Sequence, residues 1–198
     1  KKKKKYFGLK LLLRIILPIF KYNIKIKVMI NLTSSTIKGI TNSEIAKKEN
    51  NDCFVRALAA ATDMDYDTTH QEVKEQFGRV SKKGTENHMI IGQMLNAEKN
   101  GLLIGDKRFK VNVLGKSRTH NTYKLYGEHI QRKKTVKSFI KDNPKGNFVL
   151  TVSKHALAIV DGKLIDNKGE EFRPTRKVDG AYKITKPESK NVQLSLFE

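Results

Sequence analysis

The stretch NFVLTVSKHALAIVDGKLID, residues 147–166, decides the fold. NFVLTV, HALAIV and KLID are apolar runs of strand length, and Asp161-Gly162 between the last two is the dipeptide of a two-residue hairpin turn. With Val160 and Lys163 flanking that turn, opposite residues carry numbers that sum to 323, so Leu157 faces Asp166. Side chains alternate with period two, which puts His155, Leu157 and Asp166 on one face. His155 and Asp166 become diagonal neighbours about 5–7 Å apart at their β-carbons, within reach of an imidazole–carboxylate hydrogen bond. Asn167 falls on the other face, and a loop of odd length would exchange the two.

The neighbouring segments supply the rest of a domain. VDGAYKI, from Val178, reads as a last strand, and Phe109, Val111 and Val113 alternate as an earlier one. Between them Thr135 to Asp142 is a short helix stopped by Asn143-Pro144. Upstream lie four helices. Ser43 caps one through Lys48, and Asn50-Asn51-Asp52 supply cap residues for CFVRALAAAT, apolar nearly all round and hence buried. Asp65 caps Tyr66 to Phe77, closed by Gly78, and Glu86 to Lys99 ends at Asn100-Gly101. Helices first and an antiparallel sheet second is an α+β order, with N-terminal helices packed on a C-terminal sheet.

Cys53 opens the buried helix, where the helix dipole and free backbone N–H groups favour a thiolate. A lone cysteine is ordinarily a buried structural residue. A histidine with its own carboxylate changes that reading: Cys53 can attack an acyl carbon, His155 can take and return the proton, and Asp166 can fix the imidazole tautomer. His70, His88, His120 and His129 have no such setting, and no pair has metal-ligand spacing, so neither metal nor cofactor is expected. Arg56, one turn after Cys53, reads as a structural ion pair or as a substrate contact.

NDCFVRALAAAT together with KTVKSFIKDNPKGNFVLTVSKHALAIVDGKLIDN resembles a papain-like cysteine-peptidase family of phage and prophage proteins. The shared pattern is Asn-Asp-Cys with Arg-Ala downstream, then His-Ala before an apolar strand, Asp-Gly and a terminal Asp. The resemblance covers about residues 49–184 and implies a papain-like fold, with Cys53, His155 and Asp166 as the triad. The Cys segment is also similar to ovarian-tumour-type deubiquitinases, without their Gly and with Asn50 where they have Asp. Papain-type enzymes carry an oxyanion-hole Gln six residues before the nucleophile, where this chain has Lys47. Asn51, or in second place Asn50, is left as the side-chain donor beside the Cys53 N–H. The implied substrate is a peptide or isopeptide-like amide.

The chain of 198 residues carries 40 Lys and Arg against 20 Asp and Glu. Ten of the cations lie in residues 1–28 without one acid, leaving 30 against 20 in the remainder. Weak, non-specific contact with nucleic acid is compatible with that charge, although no basic patch with interleaved aromatics stands out. Residues 1–28 are too charged and too short of apolar length to span a bilayer, and lack a cleavage site. They read as translated sequence upstream of Met29, with a basic membrane-surface segment as the alternative. The expected organisation is 1–28 outside the fold, 29–42 a polar lead-in, 43–184 the domain and 185–198 a flexible tail. One thiol in the whole chain suits the cytoplasm. In the tail, Gln193, Leu194, Leu196 and Phe197 belong to a pentapeptide that resembles, at all five positions, the peptide by which bacterial proteins dock on the replicative sliding clamp. A C-terminal strand packing on the body's own core is the alternative. Two rivals to a hydrolase follow: an inactive papain-like module that occupies the clamp, and a basic nucleic-acid-binding protein.

Overall fold

A computed structural model describes residues 29–31, 37–126, 128–167 and 172–187. The segment 1–28 and the clamp-like Gln193, Leu194, Leu196 and Phe197 lie outside the described residues. Strands β6 (Asn147–Val152), β7 (His155–Val160) and β8 (Lys163–Asp166) run antiparallel in sequence. The register is the expected one, with Val160 opposite Lys163 and Ala158 opposite Ile165. Asp161 and Gly162 both have positive φ (46° and 75°), as a two-residue turn matching the strand twist requires. Asp161 also clasps Gly146, accepting its N–H on Oδ1 at 3.0 Å.

Beyond β6 the sheet continues through β9 (Val178–Thr185), β3 (Lys107–Val113) and β2 (Leu102–Ile104), giving six antiparallel strands. At the opposite edge β1 (Met29–Asn31) pairs in parallel with β8. β6 and β7 read as continuous apolar runs because both faces of the sheet are covered.

One face carries the helices α1 (Glu44–Lys48), α2 (Cys53–Thr62), α3 (Tyr66–Gln76) and α4 (Asn87–Asn100). Their core meets Val149, Ala156, Ala158 and Ile165 of the sheet. The small Ala156 and Ala158 lie opposite a helix rich in alanine, so α2 can approach the sheet closely. The other face packs Leu150, Leu157, Ile159 and Leu164 against α6 (Val136–Asp142) and Phe172. With five helices and a single turn, α5 (Lys116–Thr119), the architecture is mixed α+β.

Several expectations need correcting. Asp52 stands at the N-cap of α2 without capping it. Its carboxylate is taken by Arg56 Nε at 2.8 Å and by the Tyr66 hydroxyl at 2.6 Å, so Arg56 is in an ion pair. Glu86 is the N-cap of α4 rather than its first residue. Packing begins before residue 43, since Ile37 and Ile40 are buried in the helical core and residues 29–31 form a strand. Residues 29–42 are therefore more than a polar lead-in. β2 is too short to show a pattern, and the hairpin of β4 (His120–Leu125) and β5 (Glu128–Lys133) has a polar sequence with little apolar alternation.

Candidate active site

Cys53 is the first residue of α2 and is half-buried. Because the Asp52 side chain is turned toward Arg56 and Tyr66, it does not occupy the first-turn N–H groups of the helix, which stay aimed past Cys53. Burial and then the Asp52 hydrogen bond keep the Tyr66 hydroxyl protonated far above its ordinary range.

His155 is the first residue of β7 and Asp166 the last of β8. Both are buried, and His155 Nε2 lies 2.5 Å from Asp166 Oδ1. Alternation puts them with Leu157 and Leu164, on the face away from α2, whereas Ala156 faces the helix. Both sit at strand ends, where the imidazole lines the same cleft as Cys53 and the sulfur is near enough to raise the imidazolium pKa. With Nε2 spent on Asp166, Nδ1 is the nitrogen left for sulfur. Burial pulls the imidazolium pKa down, but the Asp166 hydrogen bond and then the Cys53 one outweigh it, and the pKa is pushed up to about 9. The raised pKa favours the imidazolium form of the ring. The other carboxylate oxygen, Asp166 Oδ2, is buried and has no hydrogen-bond partner among the described residues. On the remaining side the Phe172 ring lies tilted, its centroid 6.1 Å from that of the imidazole, and the Arg176 guanidinium lies over Phe172 while donating to the Ser153 carbonyl.

Cys53 and His155 open into a cleft of about 650 Å³ between the helices and the sheet. Asn50 and Asn51 form one wall, Gly84 to His88 a second, and Thr151, Lys154 and Asp179 a third. Asn167 lies exposed at its edge, so the pairing is with Asp166. Gly180 keeps the third wall close, since a Cβ there would stand 2.8 Å from Thr151 Oγ1 at the point where the β6–β9 register shifts. Asn51 lines the cleft, but its amide donates to the Lys82 carbonyl at 3.2 Å. Lys47 is exposed on α1, paired with Glu44 at 2.6 Å, and does not line the cleft.

A second polar cluster holds the wall in place, and sequence reasoning missed it. Glu49 is buried between Arg79 (2.7 Å) and His70 (3.2 Å), and accepts from Ser81 Oγ and the Lys82 N–H. The Arg79 hydrogen bond, helped by His70 and the Lys82 N–H against the cost of burial, holds the Glu49 carboxyl down at about 2. This clamp ties the segment before Cys53 to residues 79–82, where the loop enters the cleft wall. His70 is therefore an anchored interior group, and the sequence gives only its helical position as a signal.

Among the described residues no group of three or more His, Cys, Asp or Glu could hold a metal ion, and no helix is long and apolar enough to cross a membrane. Comparison with protein-family models, with curated proteins and with solved structures finds no match.

Proposed function

We propose that this chain is a papain-like cysteine hydrolase, a peptidase or amidase, with Cys53 as nucleophile, His155 as acid–base and Asp166 as the group that orients it. One observation carries the reading: a buried histidine hydrogen-bonded to a buried aspartate lines the same cleft as a helix-start cysteine. Sγ attacks the amide carbon and the carbonyl oxygen becomes an oxyanion facing the free N–H groups of the α2 start, with Asn51 or Asn50 beside it. The C–N bond then breaks as the imidazolium gives its proton to the leaving amine, leaving a thioester. Water, deprotonated by the neutral ring, attacks the thioester; the acid leaves, and His155 is again paired with Cys53. Walls lined largely by polar side chains suit a peptide or isopeptide-like amide better than a small apolar ligand.

The pentapeptide of Gln193, Leu194, Leu196 and Phe197 supports a second element, in which the tail tethers the enzyme to a bacterial sliding clamp in a host cytoplasm. The same peptide on an inactive body would make a clamp-occupying module. Turnover of quenched peptide and isopeptide substrates by the full chain separates the two. The hydrolase reading expects cleavage that Cys53→Ala and His155→Ala abolish. Cleavage that persists in Cys53→Ala contradicts it, as does a cysteine no more reactive than a free thiol.

A further inference from the structure

The β4–β5 hairpin stands apart from the main sheet as a sheet of its own. Between Lys116 and Lys134 it and its base carry six cations against the single acid Glu128. Lys133 is paired with Asp179 (2.6 Å) and Lys134 with Asp142, while Lys124 and Arg132 are exposed and have no acidic partner among the described residues. Register places Tyr123 opposite Ile130, Asn121 opposite Arg132, Leu125 opposite Glu128 and Lys124 opposite His129, so Tyr123, Leu125, Glu128 and Arg132 share one face of the narrow ribbon and Lys124 takes the other. Tyr123 and Leu125 are exposed, and Tyr126 at the tip is 98% exposed.

Tyr126 also has a positive φ, 50°. That backbone belongs to Gly, Asn or Asp, and a bulky aromatic held there is a true outlier. The side chain buries nothing in return. Asn would suit that backbone better, so the exposed ring is held there at a conformational cost.

We propose that this hairpin is a binding arm for single-stranded nucleic acid, with bases stacking on Tyr123 and Tyr126 and phosphates meeting Lys124 and Arg132. Exposed aromatics interleaved with unpaired cations are the two components of sequence-tolerant single-strand binding. The charge is complementary to a phosphodiester chain on a protein of formal charge +20. The arm's base adjoins the cleft, since Asp179, which holds Lys133, is one of the cleft-lining residues. The binding claim does not depend on hydrolysis.

The test uses the full chain and a fluorescein-labelled oligothymidylate, titrated by anisotropy over a range of salt. Lys124→Gln with Arg132→Gln should reduce the slope of log K against log salt by about 1.4, roughly 0.7 per charge. Tyr126→Asn should raise the melting temperature, because Asn suits the turn, while weakening binding roughly tenfold. Tyr123→Phe with Tyr126→Phe should bind as the parent does, because stacking survives. The cysteine of every variant should alkylate at the parent's rate. Unchanged affinity and slope in the Gln and Asn variants would overturn the proposal, placing the binding on other cations. No binding at low salt would overturn it too, as would a hairpin-dependent preference for anionic phospholipid vesicles or for duplex over single strand.

Discussion

Asp166→Asn removes the charge that makes His155 a cation at neutral pH while keeping the shape of the site. The histidine pKa stands at about 9 against 6.5 for an ordinary histidine, in spite of burial, which acts in the opposite direction. At 1.36 kcal/mol per unit that difference is about 3 kcal/mol of interaction favouring the imidazolium. The folded pKa is raised, so the associated stability is fully present below pH 6.5 and is lost as the pH climbs through 9. Asparagine offers Asp166's hydrogen bond without its charge, which leaves the Cys53 contribution alone to oppose burial, so the imidazolium pKa should drop from about 9. Urea unfolding of parent and variant should therefore differ by up to about 3 kcal/mol near pH 6 and by much less near pH 10. A proton titration of the His155 ring should move down toward its ordinary range. An equal stability gap at both pH values, or a ring that still titrates near 9, would refute the ion-pair reasoning.

Other consequences follow from the same structure. Glu49→Gln leaves Arg79 buried without its counter-ion and should cost about 3–5 kcal/mol by chemical denaturation. In the parent, the depressed Glu49 pKa predicts stability that is complete above pH 4.5 and declines as the pH falls toward 2, a loss the variant should not share. Gly180→Ala places a methyl against Thr151 and should lower stability by about 1–3 kcal/mol, with a matching change in cleft reactivity. Leu196→Ala with Phe197→Ala should abolish a roughly micromolar binding to purified bacterial sliding clamp measured by calorimetry; equal binding by both chains, or by neither, removes the tether.

The hairpin around Asp161-Gly162 was legible because a two-residue turn fixes register and register fixes faces; His155 and Asp166 followed from it. What alternation alone could not show is that this face is the one away from α2, and that His155 nonetheless lines one cleft with Cys53. The helix caps at Ser43, Asp65 and Thr135 were legible from local chemistry. Asp52 was not, because its carboxylate bonds to Tyr66, fourteen residues away, and a long-range bond displaced the local one. The Glu49–Arg79 clamp was hidden for the same reason, its partners being thirty residues apart. Lys47 was read against a family position, yet the short helix α1 turns it to solvent. The β4–β5 arm was missed since a strand without a buried face has no apolar period to detect.

Activation of Cys53 by His155 is directly measurable because the chain holds a single cysteine. The full chain is alkylated with iodoacetamide at a series of pH values, and adduct formation is followed by intact mass. A free thiol loses about tenfold in rate per unit below its pKa near 8.5. Pairing with His155 predicts that Cys53 at pH 7 reacts at least tenfold faster than a free cysteine, with a shallow pH profile that His155→Ala steepens and lowers. A rate equal to the free thiol's, unchanged by His155→Ala, would contradict it.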